Sequence, residues 1–158
     1  MINKKANVVT DLSTFMLILF AMAMVGLLGL KVMNNVNDMM QTSDIEQVGK
    51  DSLQANTNQY DNTLDNMIFT ALVLLWILVF VASFMINAHP IFFTITLFLC
   101  VFVFIVMAVL SNTFGSITAG ELGVYAAMLP KTLFIMNHFL EIGLAVAFTT
   151  AIGLYAKA

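Results

Sequence analysis

Arginine is absent from this 158-residue chain, cysteine occurs once, proline twice, and charged residues make up only 9% of it. Each scarcity excludes something. Without guanidinium groups the chain lacks the planar fork that grips phosphates and base edges, and its lysines are outnumbered by acids, so direct nucleic-acid binding is not expected. Cys100 stands alone inside an apolar run, which permits no intrachain disulfide and makes it a small apolar side chain. No phosphate-cradling glycine loop, nucleophile elbow, paired cysteines or haem-attachment motif is present. An enzyme is not expected, and neither a cofactor nor a metal is implied.

What the chain has is hydrocarbon. With 61% hydrophobic residues, a water-facing surface cannot be covered by polar groups. From Met67 to Leu110 the sequence is nearly continuous apolar residues, broken only by Asn87-Ala88-His89-Pro90. The break leaves two stretches of roughly twenty residues, each about 30 Å long as helix, the thickness of a bilayer core. Lipid accepts backbone only when its N–H and C=O groups are paired internally, so the run predicts a transmembrane helical hairpin. Pro90 fixes its own φ and suits a first helical turn, which makes Asn87, His89 and Pro90 a tight reversal.

The remaining segments extend this to an all-α integral membrane bundle of about four transmembrane helices. Residues 1–33 form an N-terminal anchor helix, spanning from about Leu12 to Leu30 with Asp11 or Ser13 as cap. Lys4 and Lys5 ahead of an apolar run resemble a secretory signal, but Lys31-Val32-Met33-Asn34-Asn35 replaces the small-residue cleavage site, so the segment is expected to be retained. Residues 34–66 read as a polar, acidic extramembrane loop, with Asp38, Asp44, Glu46, Asp51, Asp61 and Asp65 against Lys50. Loose helical spacing of Val36, Met39, Met40, Ile45 and Val48 carries the first helix outward to a break near Gly49, and residues 54–62 are expected to be loop. Asp65 and Asn66 then start the second span.

Residues 67–110 are the hairpin, 111–132 an interfacial connection with a short helix over Leu122–Leu129, and 133–158 a C-terminal transmembrane helix. This up-down order places both termini on one side. Three lysines then fall on each side, so only the clustering of Lys4 and Lys5 favours a cytoplasmic amino terminus.

Within the last segment, Glu141 demands explanation, because an ionisable group in a membrane helix is costly and needs a partner or a watery route. His138 precedes it by three residues, on the same helical face, with Asn137 beside them. As one continuous helix from Thr132, the segment would carry Glu141 about 13 Å inward. The three are intramembrane polar candidates, for a proton or ion path or for a bond that fixes packing. His89 reads as a polar ring tolerated at a turn. Gly143, Ala147 and Ala151 form a small-residue row, with Ala145, Thr149 and Gly153 on a neighbouring face, so this helix is built for close packing, internal or between copies.

The run Phe84-Met85-Ile86-Asn87-Ala88-His89-Pro90-Ile91-Phe92-Phe93, with Leu110-Ser111-Asn112, Leu129-Pro130 and Phe134-Ile135-Met136, resembles small integral membrane proteins of tailless, internal-membrane-containing icosahedral bacteriophages of the corticovirus and Flavobacterium-phage type. The resemblance covers about the last hundred residues, and its sharp element is the His-Pro-aromatic turn. It implies a structural virion protein that populates the internal membrane, and the host cytoplasmic membrane before assembly. Its implied partners are the lipid bilayer, further copies of itself, and capsid or other membrane proteins. The alternative is a small channel, holin or membrane-complex subunit with a polar path at His138 and Glu141.

Overall fold

The computed structural model describes residues 8–44, 46–85 and 90–155, and all regular structure among them is helical. In chain order the helices are α1 (Val8–Gln41), α2 (Gln47–Met85), α3 (Pro90–Thr118), α4 (Gly123–Ala127), α5 (Pro130–Asn137) and α6 (Phe139–Tyr155). Three of them, α1, α2 and α3, are long and apolar enough to cross a membrane, and α5 with α6, bent by 73° at their junction, make a fourth if taken together. The reversal expected at Asn87, Ala88 and His89 falls outside the described residues, and Pro90 opens α3 as its fixed φ favours.

Helices α1 and α2 pair antiparallel along most of their length. On α1 the buried positions Met16, Leu19, Ala23, Gly26 and Leu30 recur at alternating steps of three and four, the seam of a coiled pair. Gly26 and Gly29 let α2 come close: a Cβ on Gly26 would stand 2.6 Å from a Leu64 methyl, and one on Gly29 would stand 3.0 Å from the Tyr60 hydroxyl. The facing seam on α2 is Leu53, Thr57, Tyr60, Leu64, Ile68 and Leu72.

This seam overturns the expected loop. Residues 54–62 are helix, and the described residues of the 34–66 segment form a helical hairpin, α1 ending at Gln41 and α2 starting at Gln47. Its register comes from Thr57 and Tyr60, a hydroxyl and a phenol, which an apolar periodicity does not count. Thr57 is buried and its hydroxyl donates to Leu53 O at 3.0 Å, so it sits in the seam without an unpaired polar group. At the tip, Gln41 Nε2 donates to Lys50 O and Lys50 Nζ donates back to Gln41 O, tying the two helices beyond the break.

Two further expectations are corrected. Asp65 and Asn66 do not start a helix, since α2 runs through them from Gln47. The third span does not stop at Leu110 either. Thr113 and Thr118 donate to Val109 O and Phe114 O one turn back, and with their hydroxyls satisfied locally α3 continues until the glycine-containing turn at 119–122. The short helix expected over 122–129 is present as α4.

The buried core runs along the axis, from Met16, Met107 and Val146 to Leu27, Phe114 and Leu129. Around it large apolar side chains face outward: Val25, Phe98, Phe102 and Phe148 are each at least 65% exposed, as suits helices that meet lipid.

Candidate functional site

A polar belt crosses the bundle where α2 meets the start of α5. Pro130 occupies the first position of α5 and has no N–H, while the preceding Leu129 offers no side-chain cap, so the next two N–H groups need acceptors from elsewhere. Asp65, 4% exposed on α2, supplies them. Its Oδ2 accepts from Lys131 N at 3.1 Å, and its Oδ1 from Thr132 N at 2.7 Å and Thr132 Oγ1 at 2.8 Å. The carboxylate thus performs a helix cap in trans, at the positive end of the α5 backbone. Lys131 Nζ donates to Asn66 Oδ1 and lies 5.7 Å from the Phe69 ring centroid, holding the same corner from outside.

A second polar corner lies nearer the hairpin. Lys31 Nζ and Glu121 Oε2 are 2.8 Å apart, and the lysine, by hydrogen bond and charge, draws the Glu121 carboxyl below its usual range. The pair is exposed, so its contribution to stability is small.

Below the belt, the fourth segment is not the single helix expected. The ladder breaks at His138, whose φ of −110° and ψ of 27° end α5. Met136 O, at the interruption, accepts from Ser111 Oγ on α3 at 2.8 Å, so the break leaves that carbonyl paired. The contacts along α6 give its direction. Gly143 packs on Met107 and Met16, Trp76 Nε1 donates to Thr149 Oγ1 at 2.9 Å, and Gly153 packs on Ser83, so α6 follows the axis of α2. Helix α5 therefore lies across the bundle, from Asp65 on α2 to Ser111 on α3. Depth is lost in this crossing: with α5 bent 73° from α6, Glu141 stands less far below the Asp65 level than the roughly 13 Å of a straight helix.

Asn137, His138 and Glu141 are all exposed on the outside of the bundle. His138 stacks on Phe134 with centroids 4.4 Å apart, and its Nδ1 lies 3.0 Å from Phe134 O. Among the described residues no hydrogen bond or ion pair joins His138 to Glu141, and no group of three or more His, Cys, Asp or Glu is placed to hold a metal. Gly143 faces inward, where a Cβ would run into Met107 Sδ and stand 2.8 Å from Met107 Cε and 3.3 Å from Met16 Cε. Ala147 and Ala151 are half-buried beside it. Gly143, Thr149 and Gly153 of the small-residue rows are therefore engaged within the bundle.

Sequence reasoning missed Asp65 as a cap of α5 and Ser111 as the partner of the break. Proline at Pro130 with no polar residue before it was the available signal for the first. Nothing local marked the second.

Trp76 and Thr149 border an open apolar groove with Val73, Ile77 and Phe80. Trp76→Phe removes the bond between α2 and α6 while keeping most of the ring. Such interhelical bonds average about 0.6 kcal/mol, and a loss of that size is expected in thermal unfolding followed by circular dichroism in detergent micelles.

No protein-family model, curated protein or solved structure matches this chain. Fold and site together define an all-α bundle with three or four helices of membrane-crossing length, a polar belt near one end and an acidic helical hairpin beyond it.

Proposed function

We propose that the chain is a non-enzymatic integral membrane protein with an architectural role: it anchors in a bilayer and holds an acidic helical hairpin on one face for a basic surface of a neighbouring protein. The setting we propose is the internal membrane of a lipid-containing icosahedral phage particle, with a capsid or membrane protein as the neighbour. The observation that carries this reading is the continuity of α1 and α2 through the apolar zone into the hairpin. From Asp65 to Gln47, α2 extends about 27 Å beyond the belt, long enough to bridge the headgroup layer and reach a shell above it. Asp44, Glu46 and Asp51 are exposed near its tip. A stiff rod with charge at its end suits spacing and docking better than it suits catalysis.

The test separates anchoring from docking. Replacing Asp44, Glu46, Asp51 and Asp61 by asparagine leaves the chain resistant to carbonate extraction but lowers its copy number in purified particles by about tenfold, as loss of complementary charge at a docking surface does. Unchanged incorporation refutes the docking role.

A transport reading draws on the broken fourth segment, since interrupted helices line ion sites in transporters. It requires His138 and Glu141 to face a path. Both lie on the outer surface of a single copy, so a path through one bundle has no support from them.

A further inference from the structure

We propose that the outer face of the α5–α6 junction binds a second copy of this chain, with His138 of each copy paired to Glu141 of the other. The inference rests on the membrane reading above. In that setting two ionisable groups and an amide stand on the bundle's outer surface below the polar belt, where acyl chains offer them no partner, and unpaired polar groups at such depth are costly. The bundle does not supply one: the small faces of α6 are already packed on Met107, Met16 and Ser83, and Glu141 has no bonded partner among the described residues.

The chemistry selects the occupant. Phe134 O can only accept, so His138 Nδ1 carries the proton of their 3.0 Å contact. Nε2 is then an acceptor in the neutral ring and a donor in the charged one. A carboxyl is its complement in both states, donating when protonated and accepting when ionised, so the pair shares one proton without needing net charge. Each copy offers both halves, which is the self-complementarity of a two-fold contact. The copies enter the membrane in the same orientation, so His138 and the opposing Glu141 differ in height by about 4.5 Å, a distance two side chains bridge. Below them Leu144, Phe148 and Ile152 continue the exposed face at steps of four residues, an apolar seam aligned with the polar pair.

The experiment uses the full chain, labelled with donor or acceptor dyes at its amino terminus, in phosphatidylcholine–phosphatidylglycerol vesicles at falling protein-to-lipid ratio. Energy transfer above the random-proximity level is expected for the natural sequence. Glu141→Leu and His138→Leu each weaken association by about tenfold, the size of one or two interhelical hydrogen bonds. Glu141→Gln retains most of it, because its amide still donates to Nε2. The diagnostic result is a mixture: Glu141→Leu chains associate with His138→Leu chains more tightly than either does with itself, since one cross-pair is restored. Equal association in all combinations, or a natural chain monomeric at every ratio, overturns the proposal. Vesicle leakage that Glu141→Gln abolishes also overturns it in favour of an ion path. Carbonate extraction, run alongside, distinguishes the failures: a chain that washes off the vesicles refutes the membrane reading itself, whereas an inserted monomer refutes only the pairing.

Discussion

Asp65→Ala lowers the stability of the bundle by about 3 kcal/mol, the cost of leaving buried donors unpaired where a charged acceptor stood. Two N–H groups of α5 and the Thr132 hydroxyl lose their acceptor together, and no side chain at Leu129 replaces it. The effect falls on a particular place. With its N-terminus uncapped, α5 frays, and the link between α2 and the fourth segment opens at the belt. Asp65→Asn keeps one carbonyl oxygen and costs about 1 kcal/mol, close to an ordinary hydrogen bond. Unfolding midpoints in mixed detergent and dodecyl sulfate micelles measure both. If Asp65→Ala unfolds like the natural chain, the cap in trans is not holding α5.

Gly153→Val has an effect of similar size by the opposite route. A Cβ on Gly153 would run into Ser83 Oγ and stand 3.1 Å from Ser83 Cβ and 3.4 Å from the Phe84 ring, and Ser83 is fully buried with its hydroxyl held by Phe80 O at 2.6 Å. Neither neighbour has a long flexible end to swing aside, so α2 and α6 must separate. Overpacking of this kind costs about 3 kcal/mol at the upper end of its usual range. Ser83→Gly in the same chain recovers part of the loss, and a double-mutant cycle in micelles isolates the contact. Gly143 provides the contrast, because the groups it meets are the Sδ and Cε of Met107 and the Cε of Met16, on unbranched side chains with rotatable bonds that can adjust. Gly143→Ala is therefore the milder change.

These two sites show what can be read from one chain. The apolar lengths, the Pro90 helix start and the small-residue faces of the last helix were legible because each rests on neighbours within a few residues. The hairpin's helicity was not, since residues 54–62 become helix by packing Thr57 and Tyr60 against α1. Asp65 does not start the second span as its place in the sequence suggests, but caps α5 instead: a carboxylate's preference for free N–H groups is local chemistry, but which N–H groups come near it is not. The straight fourth helix failed for the same reason, because the hydroxyl that pairs Met136 O belongs to Ser111, in a different helix.

The amino-acid sequence by itself determined the helical class, three apolar segments of spanning length and the acidic character of the one long polar stretch. Those follow from hydrocarbon content and backbone hydrogen bonding alone. Tertiary structure decided the continuity of the hairpin, the bend at His138, the partner of Asp65 and the outward placement of His138 and Glu141. Each of these depends on a contact between residues far apart in the chain, and the register that creates such contacts exists only once the helices have packed.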